Sequence, residues 1–368
     1  MKKRLTAFSE WADMKAPAVF ILPAVMVILM LAVFPLIISL YLSLSRFKFV
    51  KGGFSLKFIG LLNFKKLVLG SQQFHFLGVF GDIGPLGWLI MIALSMLLVW
   101  WLIRYFRSGT VSVLGTLGRL IITMGVFSLS WLVLLTNNQN GHPGTLVVTL
   151  FYVFFGVLIQ FLIGLGLALL CAQNIPGRNF FRLVFFFPLM VTPVGIAYTF
   201  RMLVDTTVGP FTPIWQYFGW GAIPWVTIPW AARGVIVLGD TWQWTPFMFI
   251  VLLAALENQP RDQIEAAIVD GASRWQIFRD ITWPAIVPVC VTLTLIRLIE
   301  AFKIVDLPNV LTNGGPGIAS ESLTLHSFMA WRALDLGGSA AVAYMLLFVS
   351  VFFAMSFVNF ASHRMKDA

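Results

Sequence analysis

Long apolar runs alternate with short polar segments along most of the chain. A helix needs roughly 20 predominantly apolar residues to cross the hydrocarbon core of a bilayer, which is about 30 Å thick. Apolar length and flanking polar residues therefore predict an all-α polytopic membrane protein with eight spanning helices. The predicted spans are residues 18–44, 83–103, 120–136, 146–172, 181–203, 234–256, 284–301 and 339–361.

Several predicted spans contain proline, notably Pro188 and Pro193 in the fifth and Pro246 in the sixth. Each removes a backbone hydrogen bond that lipid cannot replace. Such a break is tolerated where the helix faces a protein-lined or watery cavity, and equally where a simple kink packs against a neighbouring helix. The pattern favours neither interpretation over the other.

The composition excludes an ordinary water-soluble domain. Hydrophobic residues make up 59% of the 368 positions and charged residues only 11%, against about one quarter charged in soluble proteins. The net charge of +10 does not indicate nucleic-acid binding, because the basic residues are dispersed and form no stripe. Cys171 and Cys290 lie in apolar stretches without the spacing of a metal site or redox pair, so packing is their expected role.

The distribution of positive charge predicts the orientation, since Lys and Arg near helix ends favour the cytoplasm. An even number of spans places both termini on one side, and a cytoplasmic N-terminus puts fourteen of the twenty-five basic residues inside. The segment 46–66 is discordant, because its six basic residues would lie outside. The apolar run after Lys15 is too long for a signal peptide and lacks a small-x-small cleavage site, which indicates a retained first helix. The fourteen are Lys2, Lys3, Arg4, Lys15, Arg104, Arg107, Arg119, Arg178, Arg182, Arg261, Arg274, Arg279, Arg364 and Lys366.

The segment 257–288 is polar and mostly amphipathic, and it lies between two apolar spans. Two short helices joined at Gly271 fit its pattern, because glycine permits a turn that residues with a β-carbon resist. Small alanines in the first helix let the backbone of another protein approach closely. Phe278 and Ile281 give the second helix an apolar side before Pro284 starts the next span.

This segment resembles the EAA loop of the permeases of ABC importers. In that family Glu-Ala-Ala is followed three residues later by Asp-Gly-Ala, and then by an isoleucine and a proline. Trp283 departs from the pattern, which usually has leucine there. The resemblance implies a coupling helix that inserts into a cleft of the ATPase subunit, with contact residues Glu265, Ala266, Ala267, Asp270, Gly271, Ala272, Phe278, Ile281 and Pro284.

Further short motifs resemble the sugar permeases of the maltose-transporter type. They are Phe58 to Phe64, Gly177-Arg178 through Arg182 with Pro188, Trp242 to Phe247, Leu311 to Gly317, and Thr324-Leu325. The resemblance implies a type I importer permease in the bacterial inner membrane, with cytoplasmic termini. Its implied partners are a second related permease, an ATPase dimer, an extracytoplasmic solute-binding protein and a sugar or polyol. ATP and Mg would bind the ATPase, since this chain lacks the GxxxxGK[ST] phosphate loop; no cofactor or catalytic residue is expected here.

The resemblance divides the chain into three parts. Residues 1–69 comprise a cytoplasmic segment, the first span and an extracytoplasmic loop, and residues 145–368 form the permease core. Usual members have six spans, so residues 70–144 are predicted to be an inserted helical hairpin. We expect this hairpin to be peripheral and to face lipid or a partner.

Charged residues recur every three positions at the end of the seventh span, at Arg297, Glu300, Lys303 and Asp306. On a helix this spacing allows neighbouring side chains to pair, whereas charges inside a membrane usually face the bundle interior. Self-paired charges near a helix end are favoured slightly over a lining of the translocation path. Further candidates for the path are Trp242, Gln243, Trp244 and Asn309, although an interfacial aromatic belt explains any single tryptophan better.

Two other classes of protein compete with the importer hypothesis. A secondary transporter commonly shows inverted repeats and acidic residues central to a span, but no repeat is evident and the acids cluster in loops or at helix ends. A membrane-embedded enzyme would need a constellation of carboxylates or histidines. His75, His142, His326 and His363 are instead scattered at loops and helix ends. The solute stays open, and Arg201, Arg233 and Arg297 leave room for a phosphorylated or sulfonated one.

Overall fold

A computed structural model of the protein describes residue 16 and residues 20–107, 112–138, 140–173, 176–219 and 224–366; at residues 114 and 362–366 only the backbone is described. The basic residues Lys2, Lys3, Arg4 and Lys15 and the side chains of His363, Arg364 and Lys366 lie outside the described part. The first half contains α1 (Phe20–Ser43), β1 (Ser45–Val50), β2 (Gly53–Phe58), α2 (Leu62–Leu69), α3 (Gln73–Phe76), β3 (Gly78–Val79), α4 (Pro85–Arg107), α5 (Val113–Thr136), β4 (His142–Pro143) and α6 (Thr145–Cys171). The second half contains α7 (Arg178–Met190), α8 (Pro193–Val204), α9 (Thr212–Tyr217), α10 (Pro229–Glu257), α11 (Arg261–Val269), α12 (Arg274–Ala301), α13 (Asp306–Thr312), α14 (Leu323–Arg332) and α15 (Leu336–Lys366).

Seven of the described helices are long and apolar enough to cross a membrane: α1, α4, α5, α6, α10, α12 and α15. The predicted span 181–203 is not a single straight helix, because α7 and α8 meet at an angle of 100°. Pro193 occupies the first turn of α8, where its missing N–H costs nothing, and Thr192 caps that helix by accepting a hydrogen bond from the Gly195 amide at 3.3 Å. Counting the bent pair as one span gives eight, so the predicted membrane fold is confirmed.

The core of the bundle forms where α6 packs against α10. In the most apolar 18-residue stretch of each helix, 56% of the residues of α6 and 61% of those of α10 are buried, against 11% in α4 and 6% in α5. Gly164 permits the close approach, since a β-carbon there would lie 2.6 Å from Met248 Cβ. α12 and α15 complete the apolar cluster around this pair. The α4–α5 hairpin instead leaves most of its apolar surface exposed, as lipid contact requires.

Short elements gather at one end of the bundle, which we call the β-hairpin end. β1 and β2 form an antiparallel hairpin there, and β3 pairs with β4, which joins the segment before α4 to the start of α6. Asn63 fixes the chain at the exit of α1 by donating to the carbonyl oxygens of Ser43 and Ser45, at 2.8 and 3.0 Å. α10 also begins at this end, where Arg233 in its second turn donates to the Ala319 carbonyl at 2.5 Å.

The opposite end of the bundle carries the segment between α10 and α12, and we call it the loop end. α1 runs towards the β-hairpin end and α15 runs away from it. The first residue of α1 and the last residue of α15 therefore both lie at the loop end. The basic segment 46–66, which is discordant with the positive-inside rule, forms β1, β2 and the start of α2 and therefore lies at the β-hairpin end.

Candidate functional site

The segment resembling an EAA loop folds as a short helix, a turn and the start of a long helix. α11 carries Glu265, Ala266 and Ala267, and Gly271 forms the turn with φ +80°. A residue with a β-carbon rarely adopts this left-handed conformation. A β-carbon placed on Gly271 meets no heavy atom within 4 Å. Backbone conformation, and not lack of space, therefore requires glycine at this position.

The helix after the turn is longer than predicted. We expected a second short helix before a span starting at Pro284, but one helix runs from Arg274 to Ala301 and contains Phe278 and Ile281 as well as the proline. A π turn at Phe278–Thr282 directly precedes the α-helical part, whose first turn contains Pro284. At that position the missing N–H of proline breaks no regular α-helical bond. One helix, α12, therefore connects the loop to the middle of the bundle.

The surface of the loop is unusually apolar for a segment outside the bundle. α11 has no buried residue, and the side chains of Ile268, Val269 and Trp275 are 60%, 87% and 66% exposed. A contiguous apolar patch beside polar residues is typical of a protein contact surface. A cavity of about 550 Å³ adjoins it, lined by Leu169, Gln173, Arg274, Trp275, Ile277, Phe278 and Thr282.

Polar contacts attach the base of the loop to four helices. Arg182 of α7 forms an ion pair with Glu257 at the end of α10 and donates to the Cys171 carbonyl of α6 at 3.0 Å. Gln259 donates to the Thr282 carbonyl of α12 at 3.1 Å. The base of the loop is therefore in contact with α6, α7, α10 and α12.

A network of three buried polar side chains joins α6, α10 and α12 in the middle of the bundle. Arg297 Nε donates to Gln160 Oε1 at 2.7 Å, and its Nη2 contacts Asp240 Oδ2 at 2.5 Å. Gln160 Nε2 donates to the same Asp240 oxygen at 2.8 Å. The guanidinium also lies 4.7 Å from the centroid of the Trp244 ring. A charge at the centre of a membrane costs about 2.5–3.5 kcal/mol on insertion scales, so each ion stabilises the other.

This pairing corrects two interpretations of the sequence. Arg297 does not pair with a neighbour on its own helix, although Lys303 and Glu300 do, at 2.6 Å. Acidic residues are also not confined to loops and helix ends, since Asp240 is 5% exposed and lies well inside α10. Asp240 falls within the predicted sixth span, and an ionisable residue there is by default a candidate functional residue; the prediction missed it and Gln160.

A cavity of about 110 Å³ adjoins the network. It brings together six of the eight predicted substrate-path residues: Gln243, Trp244, Arg297, Glu300, Lys303 and Asp306. Trp242 points elsewhere and packs edge-on against Phe200, and Asn309 lies in α13 outside the cavity lining. The volume is below the 300–1,000 Å³ typical of ligand pockets, so this conformation has room for water but not for a sugar.

A larger cavity of about 390 Å³ lies towards the β-hairpin end, between α8 and α13. Arg201 borders it and donates to the Val310 carbonyl at 2.8 Å. Hydrogen bonds from Thr207 hold the pKa of the Asp205 carboxyl below its usual range, so it is anionic at neutral pH. The complete lining is Arg201, Asp205, Thr206, Pro224, Trp225, Val226, Leu311, Thr312 and Asn313. Of these, Arg201 was singled out from the sequence, and Leu311, Thr312 and Asn313 belong to a motif that resembles the sugar permeases.

Two of the four histidines are not scattered, contrary to expectation. The rings of His75 and His326 stack with centroids 4.0 Å apart, beside Glu321. The two histidines are 251 positions apart in the chain and come together because α3 and α14 meet at the β-hairpin end. Neither residue lies in a membrane-spanning helix.

Comparison with known proteins identifies a family. The family model described as "Binding-protein-dependent transport system inner membrane component" matches residues 164–367. A trehalose/maltose transport system permease protein of Thermococcus litoralis is 32% identical over 217 residues, covering 59% of this chain and 74% of that protein. The trehalose transport system permease protein of Mycobacterium tuberculosis is 29% identical over 58% of this chain and 68% of that protein. A sulfoquinovosyl glycerol transport system permease protein of Agrobacterium fabrum is 31% identical over 51% of this chain and 61% of that protein.

Solved structures share the fold. One chain from a bacterial ABC transporter involved in alginate import aligns with a TM-score of 0.53 at 23% identity, covering 61% of this chain and 78% of that one. A chain from the alginate ABC transporter in complex with an alginate pentasaccharide-bound periplasmic protein aligns with a TM-score of 0.54 at 19% identity. That alignment covers 76% of this chain and 96% of the other.

Proposed function

Because this chain belongs to the family of inner membrane components of binding-protein-dependent transport systems, we propose that it is a permease subunit that imports a sugar or sugar-like solute. A transporter component of this kind is not an enzyme, and partner ATPase subunits would bind ATP and Mg and supply the energy. The predicted resemblance to ABC importer permeases is confirmed by the family match. The coupling residues, the solute path and the partners belong to the proposal.

The observation that carries the proposal is the exposed segment from α11 to the start of α12. Its apolar side chains at Ile268, Val269 and Trp275 are more than half exposed, and its base is attached to four helices. An ATPase that binds the segment differently in its open and closed states would shift the equilibrium between two conformations of the bundle. The continuous α12 would carry that shift to Arg297 and the cavity beside it.

The solute would pass between the cavity near Asp240 and the larger cavity near Trp225. Aromatic faces and several polar groups in both cavities suit a sugar or polyol. The three arginines considered from the sequence are separate: Arg201 borders one cavity, Arg297 is paired with Asp240, and Arg233 lies 4.7 Å from the Trp230 ring. This separation favours an uncharged solute over a phosphorylated or sulfonated one, although one relative is named as a sulfoquinovosyl glycerol transport system permease protein.

Further partners follow from the same proposal. A second, related permease would pair with this subunit across its exposed apolar surface, and a solute-binding protein would deliver the solute at the β-hairpin end. The loop end and both termini would then face the cytoplasm. The membrane would be the bacterial inner membrane.

The test is the variant Gly271→Val in the complete transporter, reconstituted with its ATPase and binding protein. Valine resists φ +80°, so α11 would be misdirected while the buried core stays unchanged. We expect the assembled variant to lose transport and to lose the stimulation of ATP hydrolysis by the loaded binding protein. Normal stimulated hydrolysis in the assembled variant would refute the coupling role.

The matched control is Gly118→Val in α5. Gly118 also has open space around its β-carbon position, but no left-handed φ. This variant should transport at close to the parental rate. Equal loss in both variants would show that valine acts through general destabilisation and would contradict the specific role of the loop.

A further inference from the structure

A cluster of three potential metal ligands lies at the β-hairpin end, and none of the three lines the cavities described above. It consists of His75 in α3, His326 in α14 and Glu321 just before α14. One ligand atom from each residue lies within 4.8 Å of the other two. His75 Nε2 is 2.9 Å from Glu321 Oε2. Glu321 and His326 are only 6% and 4% exposed.

The second oxygen of Glu321 is the observation that points to a missing ligand. Glu321 Oε1 is buried and finds no hydrogen-bond partner among the described residues. An unsatisfied buried carboxylate oxygen costs about 1–3 kcal/mol, and more when charged. A cation between this carboxylate and the two imidazoles would satisfy it.

The surroundings of His326 prepare it for coordination. Its Nδ1 lies 3.3 Å from Thr145 Oγ1 at the start of α6. Metal-bound histidines commonly use one ring nitrogen for such an outer contact, which orients the ring and leaves the other nitrogen for the metal.

From these contacts we propose that His75, Glu321 and His326 form a binding site for a divalent transition-metal ion of the zinc class. Two imidazoles and a carboxylate are ligands that Zn²⁺ accepts, whereas Mg²⁺ and Ca²⁺ prefer oxygen alone. Tetrahedral zinc ligands lie about 3.3 Å apart at bond lengths of about 2.0–2.1 Å. Closing the cluster around the ion therefore shortens the separations between ligand atoms by at most about 1.5 Å. The ring of the more exposed His75 must also turn out of its stack on His326, so that its nitrogen lone pair points at the ion.

The ion would connect two parts of the chain that are far apart in the sequence. α3 belongs to the segment before the α4–α5 hairpin, and Glu321 and His326 belong to the last quarter of the chain. Three protein ligands leave a fourth position for water or for an exogenous donor. The site would thus hold the segment from α3 to β3 against the entry to α15.

The direct test titrates the purified full-length chain, stripped with a chelator, with Zn²⁺ against a chromophoric competitor and with Co²⁺ under visible absorption. We expect one Zn²⁺ per chain, a Co²⁺ spectrum of a four- or five-coordinate site, and an upward shift of the melting temperature on addition of Zn²⁺. His75→Gln and Glu321→Gln should each weaken binding at least tenfold and abolish the thermal shift. A parent chain that retains less than about one fifth of an equivalent would overturn the site.

His142→Gln is the matched control, because His142 lies at the same end on an exposed position of β4. It should bind Zn²⁺ like the parent. His75 is partly exposed, so His75→Gln should melt like the parent in the absence of metal, which separates loss of binding from loss of folding. Undiminished binding by His75→Gln, or equal loss in His142→Gln, would assign the metal to another place and contradict the proposal. The result is independent of transport, so failure here would leave the proposed permease function standing.

Discussion

At the scale of single residues, the buried Arg297–Asp240 pair is the most consequential contact of the bundle. Their side chains are 1% and 7% exposed, so water does not screen the interaction. Replacing one partner leaves the other charge unpaired, which costs about 3–5 kcal/mol in comparable buried pairs. Arg297→Met should therefore lower the free energy of unfolding by about that amount, measured by denaturant titration in detergent micelles. The double variant Asp240→Asn with Arg297→Met should recover most of the loss, since no buried charge remains.

An exposed ion pair at the end of α12 gives the control for this prediction. Lys303 and Glu300 are 59% and 36% exposed, and exposed pairs contribute about 0–1 kcal/mol. Glu300→Gln should change the free energy of unfolding by less than about 1 kcal/mol. A single Arg297→Met variant no less stable than Glu300→Gln would contradict the stabilising role of the buried pair.

At the scale of elements, the start of α12 depends on a reciprocal cap. The Ser273 amide donates to Gln276 Oε1 at 2.8 Å, and Ser273 Oγ accepts from the Gln276 amide at 3.4 Å. Loss of such a cap costs about 0.5–2 kcal/mol. Ser273→Ala should therefore accelerate hydrogen exchange in residues 274–282 by a factor of roughly 2–30, measured by mass spectrometry.

Another capped helix shows whether this effect is local. Ser112 accepts from the Gly115 amide at 3.1 Å at the start of α5, in a different helix from the loop. Ser112→Ala should increase exchange in the first turn of α5 and leave residues 274–282 unchanged. Faster exchange of those residues in Ser112→Ala, or unchanged exchange in Ser273→Ala, would contradict the prediction that the cap stabilises the loop.

At the scale of the whole molecule, the two ends of the bundle should face opposite sides of the membrane. Gln263 of α11 and Lys51 between β1 and β2 are both exposed and lie at opposite ends. The native thiols of Cys171 and Cys290 are buried, so they should react little. In intact cells, an impermeant maleimide should label Lys51→Cys and should label Gln263→Cys only after permeabilisation. The reverse pattern would invert the proposed orientation.

The class of the protein was determined by local features of the sequence. The length of an apolar run corresponds to the thickness of a bilayer, because a spanning segment forms a helix that satisfies its backbone hydrogen bonds within itself. The EAA-like pattern lies in one short continuous stretch, residues 265–284, and the family match confirms the permease family that it implied. Gly271 was also predictable, because a left-handed turn is a requirement of the backbone at a single position.

Only the tertiary structure decided which helices share polar contacts. Gln160 and Arg297 are separated by 137 positions, and His75 and Glu321 by 246. Helical periodicity relates only residues that are a few positions apart. The sequence of one segment therefore does not indicate which residue of a distant segment will contact it. The 100° bend between α7 and α8 and the unbroken α12 were likewise beyond local inference. Pro193 begins α8 after the bend, whereas Pro246 and Pro288 lie inside helices that continue through them. The packing around each proline determines whether the helix continues.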